Sequence, residues 1–209
     1  MLAEVEAALG VLAFGFTAAA DAIPSSTSFE QAYASIDGQS ALRQRVSILH
    51  CTTEYPAPMA EINLRAMDAI TQAFGLRTGY SDHTLGIHIP IAAVARGASI
   101  IEKHFTLDRS LLGPDHRASL EPKELADMVR AIRDVELSLG DGIKRPTASE
   151  WKNRPIARKS LVTEQPVSQG EPLKLSCKRP GTGISPYRYW ELQNTPARRD
   201  YESDEVIDG

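Results

Sequence analysis

Polar side chains stand at the ends of two predicted strands. In "IIEKHFTLD" (100–108), Glu102 and His104 are two residues apart, so both would project from the same face of a strand. Ser81 and His83 have the same spacing in "GYSDHT" (79–84). A buried carboxylate or imidazole is costly unless it is paired, hydrogen-bonded or bound to a metal. The pattern therefore predicts a ligand site on that face rather than a dry core.

Two imidazoles at the ends of neighbouring strands could bind one divalent metal ion. His83 and His104 would leave coordination positions open for water or substrate, as a Lewis-acid site requires. Glu102 could bind the same ion, orient one of the histidines or transfer protons. A structural role, in which each histidine is simply hydrogen-bonded, stays open at this point, and we assign that role to His50 and His88.

The elements that must position these residues alternate between strands and helices, which predicts an α/β fold with parallel strands. Strands are predicted at 46–51, 77–81, 99–105 and 117–120, and helices at 58–75, 88–97 and 121–140. Ligands of such folds bind at the carboxyl ends of the strands. The polar segments "HCTTEYPAP" (50–58), "SDHT" (81–84) and "GPDH" (113–116) all fall there.

The regions on either side of this repeat have different patterns. Residues 2–12 have apolar residues at helical spacing and predict an amphipathic helix. Residues 21–45 are polar and serine-rich, which predicts a surface excursion with room for a short helix. A polar, proline-bearing linker near 141–155 precedes a segment that predicts a small, mostly β module.

Composition excludes several classes of protein. The chain has 209 residues, a formal net charge of −4 and 42% hydrophobic residues, which predicts a soluble globular protein with one sizeable core. Basic residues are scattered, so no nucleic-acid partner is predicted. The two cysteines form no C-x-x-C motif, which favours a reducing, cytoplasmic setting. The apolar stretch 10–20 follows glutamates and is too short to span a bilayer, so no signal peptide or membrane segment is predicted.

Four motifs, in order, resemble those of the N-acetylneuraminate (sialic acid) synthase family, which includes legionaminic acid and spore-coat polysaccharide synthases. They are "LHCTTEYPAP", "GYSDHTLGI", "IIEKHFTLDRSLLGPDH" with "ASLEP", and "KRPGTGISP". The resemblance implies the C-terminal half of a (β/α)8 TIM barrel at residues 1–145, with an insertion at about 13–45. A linker at 146–155 and a small, mostly β antifreeze-like (SAF) domain at 156–209 would follow.

The resemblance also implies a reaction. Members of the family condense phosphoenolpyruvate with an N-acetylated amino sugar such as N-acetylmannosamine, using Mn2+ or a similar ion such as Mg2+ or Co2+. His83 and His104 would hold the metal, which would polarise the sugar's aldehyde oxygen for attack by C3 of phosphoenolpyruvate. Glu102 and Asp115 would be the catalytic carboxylates, with Glu102 beside the metal.

The remaining implied roles concern substrate binding. Thr53 and Ser81 would contact phosphoenolpyruvate, and Tyr55 and Asp115 would contact the amino sugar. Arg179, in "KRPG", would reach from the SAF domain into the partner's barrel, because the family forms a homodimer with swapped SAF domains.

The first four strands of such a barrel, with the lysines that neutralise phosphoenolpyruvate, have no counterpart in the sequence. We therefore expect this chain alone to be a poor catalyst or none, unless another chain supplies the missing N-terminal half. An alternative hypothesis is a non-catalytic remnant or assembly module that binds a synthase subunit or a glycan intermediate. A metal hydrolase using the two histidines is a third hypothesis, which the segment "KRPGTGISPYRYWEL" disfavours.

Overall fold

The computed structural model describes residues 1–208, which divide into two compact units, Met1–Gly142 and a second that begins at Ile143. The helices of the first unit are α1 (Leu2–Thr17), α2 (Ser26–Ala34), α3 (Ile36–Arg45), α4 (Ala66–Phe74), α5 (His88–Ala95) and α6 (Pro122–Leu139). Its strands are β1 (Ser47–Cys51), β2 (Arg77–Asp82) and β3 (Ile101–Lys103). Within the described residues, no helix is both long and apolar enough to cross a membrane.

The three strands form a parallel sheet in the order β1-β2-β3, which confirms the predicted α/β fold. Cys51, Ser81 and Glu102 lie side by side in its register, at or next to the carboxyl end of each strand. Parallel strands that follow one another in sheet order require a crossover each time, and α4 and α5 supply the two crossovers.

The two faces of the sheet differ in what covers them. On one face, Tyr80 is fully buried against Met67 of α4 and Ala93 of α5. On the other face, Gly79 lets the backbone of Ile100 approach β2 closely, because a Cβ at position 79 would lie 2.5 Å from the carbonyl oxygen of Ile100. Cys51 and Glu102 are exposed on this second face, which we call the open face.

The predicted strand at 117–120 is wrong apart from one residue. Residues His116–Ala118 form a 3-10 turn, and only Leu120 pairs with Phe105, as an isolated parallel bridge. The reason is local hydrogen bonding: the carbonyl oxygen of Asp115 accepts from the backbone N–H of Ala118 at 3.1 Å and from the Ser119 hydroxyl at 2.7 Å. These bonds satisfy backbone groups that a strand would have offered to a neighbour.

The segment 21–45, predicted as a surface excursion with room for a short helix, forms two helices, α2 and α3. The serines that suggested a loop are helix N-caps: Ser25 accepts a hydrogen bond from the N–H of Ser28, and Ser35 accepts one from Gly38. Leu42 packs with Leu9 of α1 in a buried cluster at the amino end of the strands. The segment is therefore an ordered helical layer.

The second unit has its own core. It contains α7 (Ala148–Ala157), β4 (Ser160–Thr163), β5 (Leu175–Lys178) and α8 (Tyr189–Leu192), with β4 and β5 antiparallel. Further antiparallel bridges join Val162 of β4 to Val206, Val167 to Tyr201 and Pro172 to Pro196. Its core residues are Leu161, Val167, Leu173, Leu175, Ala197, Tyr201 and Ile207. Much of the segment expected as a linker, 146–155, lies in α7.

Candidate active site

The rings of His83 and His104 lie next to each other at the carboxyl edge of the sheet. His83 follows β2 directly and His104 follows β3 directly, which places the two rings edge to face with centroids 5.4 Å apart. The ring of Tyr55 packs against both, at 4.2 Å from His83 and 5.4 Å from His104. Three of the residues singled out in the sequence therefore form one aromatic cluster.

A backbone carbonyl sets the orientation of the His83 ring. Its Nδ1 lies 2.7 Å from the carbonyl oxygen of Thr52. A carbonyl can only accept a hydrogen bond, so Nδ1 carries the proton and, in the neutral ring, Nε2 presents its lone pair. Metal-binding histidines use this same arrangement, in which the other ring nitrogen donates to a carbonyl or carboxylate. The donor set of His83 therefore fits a divalent metal ion.

The second imidazole faces a carboxylate at the rim. The Nδ1 of His104 lies 3.9 Å from the Oδ2 of Asp115, which is too long for a hydrogen bond but close enough for attraction if the ring is protonated. Asp115 is more than half exposed, whereas His104 is less than one third exposed. Asp115 therefore belongs to the mouth of the site.

Ser81 and Glu102 form a hydrogen-bonded pair on the open face. The Ser81 hydroxyl donates to Oε1 of Glu102 at 2.7 Å, across a register that puts the two residues directly opposite each other. Ser81 is buried and Glu102 is exposed, so the hydroxyl fixes one carboxylate oxygen and leaves the other side of the group open.

Two further predicted site residues lie in loops. Thr53 lies in the loop after β1, close in sequence to Tyr55, and is exposed. Arg179 follows β5 in the second unit, where it is also exposed. The structure therefore gathers Tyr55, His83, His104 and Asp115 at one rim of the first unit, and Arg179 belongs to the second unit.

A buried ion pair lies behind the site and was not predicted from the sequence. Lys103 binds the Oδ2 of Asp82, and their side chains are only 3% and 0% exposed. The Lys103 ammonium also donates to the carbonyl oxygen of Thr84 at 2.6 Å, while the N–H and hydroxyl of Thr84 donate to Asp82 at 3.0 and 3.1 Å. The available signal was that "SDH" and "EKH" place opposite charges immediately before the two histidines.

The loop that carries Asp115 is tied to α6 by a second set of polar contacts that the sequence did not reveal. Arg109 binds Glu124 of α6, and its Nε donates to the carbonyl oxygen of Ser119 at 2.9 Å. The hydrogen bond between Arg109 and the Glu124 carboxylate is the main reason that the pKa of Glu124 is lowered. Nδ1 of His116 lies 2.7 Å from the Thr106 hydroxyl, inside the same loop.

In the part of the chain that the structure describes, no three His, Cys, Asp or Glu side chains converge into a complete metal site. A metal ion bound by His83 and His104 would therefore take its other ligands from solvent, from substrate or from another chain. Such an open coordination sphere is typical of catalytic rather than structural metal sites.

The fold and the site together define an α/β protein with a pair of histidines at the carboxyl edge of a parallel sheet. Residues 1–144 match the NeuB family, and the chain belongs to that family. The resemblance to the sialic acid synthases is thereby confirmed.

Individual relatives agree with this assignment. The chain is 53% identical over 170 residues to the N,N'-diacetyllegionaminic acid synthase of Campylobacter jejuni, covering 80% of this chain and 51% of that protein. It is 46% identical over 149 residues to the synthase of the same name from Legionella pneumophila, covering 70% of this chain and 42% of that protein. The chain thus spans about half the length of these relatives.

A solved structure is similar as well. It is the N-acetylneuraminic acid (sialic acid) synthetase of Leptospira borgpetersenii in complex with citrate, with a TM-score of 0.51 and 39% identity. The similarity covers 62% of this chain and 45% of that one.

Proposed function

We propose that this chain carries the C-terminal half of a (β/α)8 barrel synthase, which condenses phosphoenolpyruvate with an N-acetylated amino sugar of the N-acetylmannosamine type to form a nonulosonic acid. The proposal is supported by membership of the NeuB family and by relatives named as legionaminic and sialic acid synthases. The observation that carries it is the adjacent His83–His104 pair, in which Nε2 of His83 is left available as a ligand.

The half-barrel geometry is supported by the sheet. Parallel strands in sequential order carry helices on one face, and the opposite face bears the polar residues at the strand ends. In a closed barrel that second face would line the interior, and ligands would enter at the carboxyl ends of the strands.

The residues of the site then have distinct roles. When bound at His83 and His104, a divalent ion, preferably Mn2+ with Mg2+ or Co2+ as alternatives, supplies Lewis-acid polarisation of a carbonyl oxygen. Glu102, held by Ser81, is placed on the same face as His104 to accept and return a proton.

The surrounding residues bind the substrates. Tyr55 shields the two imidazoles on one side, and Asp115 at the mouth accepts hydrogen bonds from hydroxyl groups of the amino sugar. Thr53 and Ser81 are the contacts that we propose for phosphoenolpyruvate.

The second unit would be the SAF domain. Arg179 is an exposed cation at the end of β5 in the "KRPGTGISP" motif, which supports a role in binding an anionic substrate in the barrel of a partner subunit. The free thiols of Cys51 and Cys177 are compatible with the reducing cytoplasm that we propose as its location.

We expect a complete catalytic site to need more than this chain. It spans about half of its relatives, and among the described residues one edge of β1 has no strand partner. Helix α1 lies beside β1, and Leu2 and Leu12 of this helix are exposed. An unpaired strand edge next to apolar side chains favours pairing with another strand. A complementing N-terminal half barrel would supply a strand to pair with this edge. A synthase subunit would do the same if this chain is an assembly module that binds it.

Activity tests the catalytic proposal. The purified chain, assayed with phosphoenolpyruvate, N-acetylmannosamine and Mn2+, should release little or no phosphate, and adding the N-terminal half of the Campylobacter jejuni synthase should restore release. Turnover at ordinary enzyme rates by the chain alone would contradict the need for a second half.

Metal binding tests the ligand assignment separately. His83→Ala and His104→Ala should each weaken Mn2+ binding, measured from the electron paramagnetic resonance signal of free Mn2+. His88→Ala is the matched control, because His88 is exposed at the start of α5. Unchanged Mn2+ affinity in both site variants would count against the assignment.

A further inference from the structure

The buried ion pair lies directly behind the histidines. Asp82 stands between Ser81 and His83, and Lys103 stands between Glu102 and His104. Asp82 and Lys103 are also register partners, and they are the last paired residues of β2 and β3. We propose that the Asp82–Lys103 pair is the positioning element that holds the rings of His83 and His104 side by side. The proposal rests on the proposed function, because it assigns these rings to a metal site.

The contacts of the pair fix the chain on both sides of His83. Thr84, the residue after His83, donates to both carboxylate oxygens of Asp82, the residue before it. Lys103 then joins this short loop to β3 through Asp82 and through the carbonyl oxygen of Thr84. Movement of the backbone at His83 relative to β3 would break at least one of these buried bonds.

β3 is short. Ile101, Glu102 and Lys103 pair with β2, and two backbone hydrogen bonds before the strand, from Ser99 N–H to the carbonyl oxygen of Thr78 and from Tyr80 N–H to that of Ile100, extend this pairing at its amino end. A slip of one residue would turn His104 to the opposite face of the sheet, since side chains alternate along a strand. The ion pair opposes this slip, because Lys103 meets the Asp82 carboxylate only in the observed register.

Stability alone is a weak explanation for this pair. Buried ion pairs can often be replaced by apolar residues without loss of stability, because removing two charges from water offsets most of their attraction. An apolar pair would pack in this place without specifying the register. A directional pair immediately before both histidines is better explained by the geometry that it imposes.

Neither residue is expected to touch substrate. Both side chains are almost completely buried, and alternation along the strands directs them away from the open face that carries Ser81 and Glu102. They are therefore positioning residues, whose effect must be measured at the histidine rings themselves.

The test uses the full chain and two variants. Lys103→Met keeps the length of the side chain but removes the ammonium. Asp82→Asn with Lys103→Met removes both charges together and so avoids an unpaired buried carboxylate. Leu42→Ala is the control, because it creates a cavity at the opposite end of the strands, in the α1–α3 cluster.

Two readouts follow the rings. In the metal-free chain, the nuclear Overhauser effect between ring protons of His83 and His104 should be present in the wild type and Leu42→Ala, and lost in both Lys103 variants. Mn2+ affinity should fall by about 10- to 100-fold in the Lys103 variants, as is usual when outer residues that orient metal ligands are removed. Leu42→Ala should lower thermal stability but leave Mn2+ affinity unchanged.

The outcomes separate this inference from the proposed function. If the wild type binds no Mn2+, the metal assignment fails, and the ring contact alone decides whether the pair positions the histidines. If the double variant is folded and keeps both the ring contact and the Mn2+ affinity, the positioning role is wrong while the metal site stands.

Discussion

At the scale of single residues, the environment of each polar group decides what it can do. The imidazole of His83 has its Nδ1 proton bound to a backbone carbonyl, whereas the hydroxyl of Tyr80 is buried near Asp82 and makes no hydrogen bond of normal geometry among the described residues. The hydrogen bond of His83 leaves its Nε2 available to bind a ligand. The Tyr80 hydroxyl has lost its hydrogen bonds to water on burial, and this loss has measurable consequences for stability.

Tyr80 predicts how stability depends on alkaline pH. Burial, with a contribution from Asp82, raises the pKa of the Tyr80 hydroxyl above its ordinary value of 10.0. Above about pH 10 the unfolded chain releases this proton while the folded chain keeps it, so the free energy of unfolding falls as pH rises. Urea unfolding of Tyr80→Phe should show a smaller fall than the wild type, and Tyr187→Phe, at an exposed position, should follow the wild type.

The Tyr80→Phe variant also tests whether the Tyr80 hydroxyl lacks a hydrogen bond. At neutral pH, Tyr80→Phe should be as stable as the wild type or more stable, because it removes an unsatisfied hydroxyl. A loss of more than about 1 kcal/mol would instead show that the hydroxyl makes a favourable hydrogen bond.

At the scale of elements, the loop between β3 and α6 determines where Asp115 stands. The Arg109–Glu124 pair ties this loop to the first turns of α6. Because Arg109 lowers the pKa of Glu124, the contribution of this pair is present above the ordinary pKa of a glutamate and is lost as the pH falls through the lowered one.

Arg109→Ala should loosen this loop with little effect on global stability. Both side chains are more than one third exposed, so the loss in unfolding free energy should stay within about 1 kcal/mol. Backbone hydrogen exchange in residues 105–121 should nevertheless become faster. Arg133→Ala, which breaks the exposed Arg133–Glu136 pair on α6, should leave exchange in this loop unchanged.

The elements that could be predicted are those with strong local signals. Helix α4 ends before Gly75, which adopts a positive φ of 62°, and β1 lies within the predicted strand at 46–51. The extent of helix within 21–45 was not predicted, because serine is common both in loops and at helix N-caps. Its helices depend on packing against α1, which no local pattern shows.

The candidate site shows the same division. The grouping of His83 with His104 follows from alternation along two strands, which is a property of the sequence. The Asp82–Lys103 pair depends on the register between those strands, and the Arg109–Glu124 contact depends on the path of a loop. Both are tertiary properties, so residue spacing could not reveal them.

At the scale of the whole molecule, the two units have separate cores. Leu161 and Leu175 are buried within the second unit, while Tyr80 and Met67 are buried within the first. Separate cores allow damage to one unit to leave the other unit folded.

Leu161→Ala should therefore destabilise only the second unit, by about 2–5 kcal/mol for a fully buried leucine. Hydrogen exchange should lose protection in β4 and β5, while protection in β2 should be unchanged. Leu42→Ala should give the reverse pattern. Loss of protection in both units with either variant would show that the two cores unfold together.

Cys51 is a site on the open face that can be labelled chemically. Its exposed thiol stands level with Ser81 and Glu102 across the sheet, whereas Cys177 is only partly accessible in the other unit. After Cys177→Ser, a fluorescent maleimide would label one position, and its emission would respond when a complementing chain covers that surface. Assembly could then be followed in real time without any assay of turnover.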